Sequence, residues 1–124
     1  MKYIPLLLSL LFVGCSAQQP QASFRQISME QAVTMMAEEE NYIILDVRRA
    51  DEFAAGHIPG AVNIPNESIG TEEIPQLPDK DQLILVYCRS GNRSKTASST
   101  LADLGYTNIY EFGGINTWPY ETEP

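Results

Sequence analysis

The 124-residue sequence predicts an α/β fold, in which helices cover both faces of a parallel β-sheet. Short apolar stretches typical of strands alternate along the chain with stretches of helical periodicity, the order expected of strand–helix–strand units. The two most apolar stretches, residues 42–45 and 83–87, are continuous rather than alternating, as in strands that are buried on both faces. A chain of this length forms a single domain around one modest core.

The first half of the domain contains two predicted strands, each followed by a helix. A short edge strand over 24–27 leads to Ser28 and Gln31, whose spacing is that of a capping box, so a helix begins after Ser28. The methionines of this helix are predicted to belong to the core rather than to a metal site. The buried strand over 42–45 is followed by a short helix over 49–55.

The second half contains the strand that we expect at the centre of the sheet. An acidic loop over residues 66–81 precedes it, and the helix that follows it ends at Gly105, a residue type that favours helix C-termini. In order, the predicted elements are a strand over 61–64, the central strand over 83–87, a helix over 96–104, a strand over 107–110 and a turn or short helix over 113–118.

Cys88 directly follows the central strand and precedes a helix, and the cations Arg89, Arg93 and Lys95 lie close to it in the sequence. A loop in this position can turn successive backbone N–H groups inward, and the start of a helix adds about half a positive charge. All of these effects favour a thiolate over a thiol. Asp46 likewise follows a strand, so both residues should lie at the sheet edge where ligands bind in such folds.

The gain in reactivity from a lower thiol pKa is small, and this indicates a further role for the loop. Lowering the pKa from about 8.5 to about 6.5 raises the thiolate fraction at neutral pH about 25-fold. Because nucleophilicity falls with pKa along a Brønsted slope of about 0.4–0.5, roughly eightfold of that gain is lost. We therefore expect the loop mainly to hold an anionic substrate, or a charged intermediate, against the sulfur.

The N-terminus predicts export. Lys2 precedes an apolar core over 4–13 that is shorter than the roughly 20 residues of a membrane-spanning helix. The stretch Leu-Phe-Val-Gly-Cys that ends at Cys15 resembles the lipobox of bacterial lipoproteins, although Phe12 stands where leucine is usual. The resemblance implies cleavage before Cys15, lipidation of this cysteine, and a periplasmic or cell-envelope protein anchored to a membrane. The alternatives are cleavage after Ala17, which releases a soluble exported protein, and a retained membrane anchor.

This interpretation divides the chain into a signal peptide over 1–14, a polar tether over 15–23 and a folded domain over 24–124. The whole sequence carries a net charge of −8, and removal of the single lysine of the signal peptide changes it to −9. An acidic protein is a poor ligand for nucleic acid, so we expect no nucleic-acid partner. With Cys15 lipidated, Cys88 has no disulfide partner within the chain and is a candidate reactive thiol. A buried, inert cysteine is the alternative.

Three stretches of the sequence resemble the rhodanese family of sulfurtransferases. Residues 88–94, Cys-Arg-Ser-Gly-Asn-Arg-Ser, are similar to the family's active-site loop, residues 44–65 to its upstream signature, and residues 104–120 to its C-terminal signature. Together they span almost the whole predicted domain, and they most resemble single-domain periplasmic rhodaneses of the phage-shock type. The resemblance implies a rhodanese-like fold with about five parallel strands and helices on both faces.

By this resemblance, Cys88 attacks the outer sulfur of thiosulfate, sulfite leaves, and the sulfur stays on Cys88 as a persulfide until a thiol or cyanide accepts it. The partners are a small anionic sulfur donor and a thiol acceptor. The resemblance implies no metal and no organic cofactor, and we expect a monomer. Asp46 and Arg48 are candidates for the wall of the pocket. The substrate-binding residues implied by the loop are Arg89, Ser90, Gly91, Asn92, Arg93 and Ser94.

Other functions stay open on the sequence. Protein tyrosine phosphatases use a Cys-x5-Arg loop with a histidine before the cysteine, whereas here Arg93 follows Cys88 at Cys-x4-Arg spacing and Tyr87 stands in the histidine position. A shorter loop closes a smaller pocket, which disfavours a phosphatase or an arsenate reductase. A persulfide carrier for a partner protein would use Cys88, and a non-catalytic binding module would not require it. We expect His57 and Trp118 to be structural.

Overall fold

The computed structural model describes residues 23–124. The predicted signal peptide, the cleavage site before Cys15 and the lipidation of this cysteine lie outside the described residues, as does the tether except for its last residue. Within residues 23–124, no helix is both long enough and apolar enough to cross a membrane.

Five parallel strands form the sheet, in the spatial order β1-β5-β4-β2-β3. Strand β4, the most apolar strand, lies in the middle between β2 and β5, as the sequence predicted. The strands are β1 (Arg25–Gln26), β2 (Tyr42–Asp46), β3 (Val62–Asn63), β4 (Leu83–Cys88) and β5 (Ile109–Gly114).

Helices lie on both faces of the sheet, which confirms the predicted fold class. In the described part of the chain the α-helices are α1 (Met29–Glu38), α2 (Ala50–Ala55) and α3 (Asn92–Asp103). Single turns of 3-10 helix form at Asn66–Ser68 and Ile115–Thr117. The first of these turns lies in the acidic loop between β3 and β4.

The capping signals in the sequence mark helix ends in the structure. The Ser28 hydroxyl oxygen accepts a hydrogen bond from the N–H of Gln31 at 3.0 Å, and the Gln31 side chain accepts one from the N–H of Ser28 at 2.8 Å. This reciprocal pair is the predicted capping box of α1. At the end of α3, Gly105 adopts φ +103°, and its N–H donates to the carbonyl oxygen of Ala102 at 3.0 Å. Gly105 thus terminates α3 as expected.

The two faces of the sheet bury separate apolar clusters. On one face, Val86 of β4 belongs to a cluster that includes Leu101 of α3. On the other face, Tyr87 of β4 belongs to a cluster that includes Ala32 of α1. Because successive side chains of a strand point to opposite faces, Cys88 lies on the α3 face with Val86.

Two element boundaries differ by four residues from those predicted, and both lie beside Cys88. Helix α3 begins at Asn92 rather than at residue 96, because its first turn is polar and carries no apolar periodicity. Gly91 precedes the helix at φ +110°, a left-handed conformation that favours glycine. Strand β5 runs to Gly114 rather than ending at residue 110, so the glycines expected in a turn lie in the sheet.

Candidate active site

Cys88 is the last residue of β4, and its side chain is almost completely buried on the α3 face of the sheet. Its sulfur accepts a hydrogen bond from the backbone N–H of Gly91 at 3.0 Å. The hydroxyl oxygen of Ser94 lies 3.4 Å from the same sulfur. The segment that joins β4 to α3 therefore curls around the thiol.

Close packing against β5 shapes this loop. A Cβ atom on Gly114 would lie 1.9 Å from the carbonyl oxygen of Arg89, so only glycine allows the loop and β5 to approach this closely. The strand register shifts at the same point, because Val86 pairs with Glu111 whereas Cys88 pairs with Gly114. The extra residue on β5 is a β-bulge, a feature that re-aims side chains next to functional sites.

The surroundings of the Cys88 sulfur favour its anionic form. Burial raises the pKa of the thiol, but the Ser94 hydroxyl, when its hydrogen points to the sulfur, and the backbone N–H groups of Ser94, Gly91 and Ser90 bring that pKa below its ordinary value. The first turn of α3 adds the positive end of a helix dipole. The loop can therefore hold a sulfur anion without a metal ion or a neighbouring histidine.

Arg93 lies in the first turn of α3 and is tied to Glu52 of α2 by two contacts. Its guanidinium nitrogens donate to the two Glu52 carboxylate oxygens at 2.7 and 3.2 Å. The hydrogen bond from Arg93 is the largest cause that lowers the pKa of Glu52 to about 2. The charge of Cys88 raises the pKa of Arg93 to a smaller extent, so the guanidinium lies within electrostatic range of the sulfur.

The other predicted loop residues surround the thiol in two ways. Gly91 and Ser94 are buried and contact the sulfur directly. The side chains of Arg89, Ser90 and Asn92 are exposed. Within the described residues Arg89 forms no ion pair, so its guanidinium is available at the rim of the loop.

Asp46 and Arg48 form a closed cluster away from the thiol. The Arg48 guanidinium donates to the Asp46 carboxylate at 2.7 and 3.0 Å, and to the carbonyl oxygen of Gly56 at 2.7 Å. The hydroxyl of Tyr87 donates to the same carboxylate at 2.6 Å. Because Tyr87 and Cys88 are adjacent strand residues, this cluster lies on the opposite face of the sheet from the sulfur. The structure does not bring these two predicted pocket residues to the thiol.

Two carboxylates near the thiol were not among the predicted site residues. Glu52 pairs with Arg93, as described above. Glu111 is 2% exposed in β5, and its Oε2 accepts hydrogen bonds from the Ser94 hydroxyl at 2.5 Å and from the N–H of Gly113 at 3.0 Å. The sequence signal for Glu111 was a charged residue inside the apolar strand Ile109–Gly114, a position where an unpaired charge is costly.

Comparison with protein families decides which family the chain belongs to. The family model for the Rhodanese-like domain matches residues 28–120. This range includes the loop around Cys88, both carboxylates beside it and all three helices. The chain belongs to the rhodanese family. The five-stranded parallel sheet with three helices is the rhodanese fold, so the resemblance stated from the sequence is confirmed at the level of family and fold.

Sequence relatives of this rhodanese include sulfurtransferases. The thiosulfate sulfurtransferase GlpE of Pseudomonas entomophila is 36% identical over 98 residues, which are 78% of this chain and 86% of the relative. The thiosulfate sulfurtransferase PspE of Escherichia coli is 34% identical over 71 residues, which are 57% of this chain and 68% of the relative. The protein is therefore a rhodanese-domain sulfurtransferase, homologous to thiosulfate sulfurtransferases.

A solved structure gives the same result. A rhodanese from E. coli that was determined with anions has a TM-score of 0.60 and 31% identity to this chain. The match covers 66% of this chain and 96% of that structure.

Two other side chains that could take part in chemistry, His57 and Trp118, make structural contacts instead. The ring of His57 stacks on Phe53 with the ring centres 3.7 Å apart, and its Nδ1 lies 3.0 Å from the Phe53 carbonyl oxygen. Trp118 packs against the apolar cluster on the α1 face, and its indole N–H donates to the carbonyl oxygen of Glu121 at 3.1 Å. Within residues 23–124, no three His, Cys, Asp or Glu side chains are grouped to hold a metal ion.

Proposed function

We propose that this rhodanese-family protein moves a sulfane sulfur from thiosulfate, or a similar small anionic donor, through a persulfide on Cys88 to a thiol or to cyanide. The observation that carries the proposal is the position of the Cys88 sulfur. It lies at the N-terminus of α3, where the N–H of Gly91 donates to it at 3.0 Å. A sulfur anion is stabilised there by fixed donors that do not have to reorganise during the reaction.

In the first step, the Cys88 thiolate attacks the outer sulfur of thiosulfate. A new S–S bond forms as the S–S bond of thiosulfate breaks, and sulfite leaves with the bonding electron pair. The Cys88 persulfide retains the negative charge, which the N–H groups around the loop offset. In the second step, the acceptor attacks the outer sulfur of the persulfide and Cys88 leaves as a thiolate, ready for another cycle.

The surroundings of the loop support an anionic donor. The start of α3 and the exposed guanidinium of Arg89 provide positive charge at the rim, and we assign donor binding first to Arg89 and to the backbone N–H groups of residues 89–94. We propose that Arg93 contributes when the donor competes with Glu52 for its guanidinium. The relatives from P. entomophila and E. coli are named as thiosulfate sulfurtransferases, which supports thiosulfate as the donor.

The role proposed for Asp46 and Arg48 is indirect. Their ion pair connects the end of β2 to the carbonyl oxygen of Gly56, so it holds the chain between β2 and β3 in place. Because this segment contains α2, the ion pair would help to position Glu52 relative to Arg93. Neither side chain is proposed to contact the donor.

The test is intact-mass analysis of the purified protein after incubation with thiosulfate. The native protein should gain the mass of one sulfur atom and lose it when cyanide is added. A Cys88→Ser variant should gain none, and a Cys15→Ser variant should behave like the native protein, which separates the two cysteines. A folded native protein that gains no sulfur would contradict the proposal, and phosphate-ester hydrolysis would then be the next activity to measure.

Turnover distinguishes an enzyme from a persulfide carrier. Continuous production of thiocyanate from thiosulfate and cyanide indicates a self-sufficient sulfurtransferase. A persulfide that forms but reacts with no small acceptor indicates a carrier that needs a partner protein.

A further inference from the structure

Glu111 is a buried carboxylate next to the thiol, and the proposed sulfur transfer does not use it. Its side chain reaches the α3 face of the sheet by ordinary alternation along β5, because Glu111 pairs with Val86 and follows Ile109 by two residues, and both of these lie on that face. It is 2% exposed, and within residues 23–124 it forms no ion pair. A buried carboxylate without a cation is uncommon, because burial disfavours a charge that has no partner.

Ser94 connects Glu111 to Cys88. Its hydroxyl oxygen lies 2.5 Å from Oε2 of Glu111 and 3.4 Å from the sulfur of Cys88. It also lies 3.0 Å from the carbonyl oxygen of Gly91 and 3.4 Å from that of Gly113. A hydroxyl has only one hydrogen to donate, so these acceptors compete for it.

An ionised Glu111 is the strongest of these acceptors and receives the Ser94 hydrogen. Hydrogen bonds to an ionised oxygen are shorter and about twice as strong as neutral ones, and the contact to Glu111 is the shortest of the four. The contribution of the Ser94 hydroxyl to a stable Cys88 anion requires that its hydrogen point to the sulfur. While Glu111 carries its charge, the Ser94 hydroxyl therefore does not stabilise the Cys88 anion, and the carboxylate also repels this anion.

We propose that Glu111 is a positioning residue that acts through Ser94: while ionised, it holds the Ser94 hydroxyl hydrogen and leaves the Cys88 anion to the backbone N–H groups alone. A less stabilised thiolate is a better nucleophile, because nucleophilicity rises with the pKa of the thiol. An ionised Glu111 therefore lowers the fraction of Cys88 that is present as thiolate, but makes each thiolate more nucleophilic. This inference concerns the thiol itself, so it stands whether or not thiosulfate is the donor.

The other charged groups around the site are accounted for. Arg93 on α3 pairs with Glu52 on α2, and the exposed Glu67 on the 3-10 turn also acts on Arg93. Arg25 on β1, the other neighbour of β5, is exposed at the sheet edge. Arg89 on the loop and Lys95 on α3 are exposed cations. All six groups are kept when Glu111 is changed, so a change in the titration of the thiol reports on Glu111.

The experiment is a pH titration of the thiolate by its ultraviolet absorbance. It uses the full chain with Cys15→Ser, so that Cys88 is the only thiol, and compares the native Glu111 with Glu111→Gln. The amide is a neutral, weaker acceptor that releases the Ser94 hydrogen to the sulfur and removes the repelling charge. The titration should move to lower pH by about one unit or more. At pH values below the midpoint of the titration, Cys88 of the variant should be alkylated only about threefold faster than that of the native protein. Roughly tenfold more thiolate is present, but each thiolate is less nucleophilic.

A double-mutant cycle tests the route through Ser94. The shift caused by Glu111→Gln should shrink clearly in a Ser94→Ala background, because only the through-space repulsion is left there. Glu67→Gln, which removes an exposed carboxylate, is the matched control and should leave the titration almost unchanged. An unchanged titration in Glu111→Gln, a shift to higher pH, or a shift of equal size in both backgrounds would overturn the proposal.

The Ser94→Ala variant also tests the proposal by itself if Glu111→Gln does not fold. With Glu111 ionised, the Ser94 hydrogen does not serve the sulfur, so its removal should change the Cys88 titration little. A shift of the titration to higher pH by about one unit or more would show that the hydroxyl donates to the sulfur in the native protein, and would overturn the proposal.

Discussion

The ion pair between Glu52 and Arg93 joins α2 to the active-site helix, and Glu52→Gln tests its contribution. The pKa of Glu52 falls from its ordinary 4.5 to about 2, with the hydrogen bond from Arg93 as the largest cause. Each unit corresponds to about 1.4 kcal/mol, so the ceiling on the stabilisation is about 3 kcal/mol. The side chains are 14% and 31% exposed, so solvent screens part of it, and about 1–2 kcal/mol is expected at neutral pH.

The sign of the pH dependence follows from the direction of this shift. Because folding lowers the pKa of Glu52, its stabilisation is complete above about pH 4.5 and is lost as the pH falls towards 2. Urea denaturation should show Glu52→Gln less stable than the native protein at pH 7, with the difference shrinking below about pH 4.5. The glutamine keeps the neutral hydrogen bond that Glu52 accepts from the N–H of Arg49 at 3.1 Å, so the variant removes mainly the charge.

The same variant has a predicted effect on activity. Loss of the Glu52 charge frees Arg93 for an anionic donor, so KM for thiosulfate should fall roughly two- to fivefold, the range of a rim ion pair. Glu72→Gln, an exposed carboxylate in the acidic loop, is the matched control and should change neither stability nor KM. The reasoning is refuted if Glu52→Gln is as stable as the native protein at pH 7, or if its deficit is equally large at pH 3.

Three further outcomes are expected. Gly114→Ala should keep the secondary structure seen by circular dichroism but lower the rate of sulfur transfer at least tenfold. The reason is that the new Cβ would lie 1.9 Å from the Arg89 carbonyl oxygen. Unchanged turnover would show that the loop adapts. Tyr87→Phe should lower the free energy of unfolding in urea by about 1–3 kcal/mol, because Asp46 loses a buried hydrogen-bond donor. The value of kcat should stay unchanged. A lower kcat without loss of stability would contradict the placement of Tyr87 and Cys88 on opposite faces of the sheet. Cys15→Ala should abolish incorporation of a labelled fatty acid in cells, and labelling that persists would refute lipidation at this residue.

The sequence predicted the order of the elements well because their signals are local. The capping residues Ser28 and Gln31 and the terminating Gly105 determine helix ends through neighbouring backbone groups. The continuous apolar stretch of β4 predicted its central position, since only a strand buried on both faces tolerates it.

The missed features depend on contacts between distant parts of the chain. Gly114 appeared to belong to a turn, because nothing in the local sequence shows the loop carbonyl oxygen that lies against it. Glu52 and Arg93 are 41 residues apart, and only the tertiary fold brings their side chains together. Glu111 is the partial exception, because a charge within an apolar strand is a local signal that a buried partner exists.

Alternation along β4 explains why neighbouring polar residues have different roles. Tyr87 points to the α1 face, where its hydroxyl joins Asp46 and Arg48, whereas Cys88 points to the α3 face and its loop. Because the side-chain period is two, a slip of one residue in register would exchange these environments. It would put the thiol on the face of the Asp46 carboxylate, away from the backbone N–H groups of the loop. The Asp46 cluster is therefore linked to activity through the register of the strand, although it lies on the opposite face from the thiol.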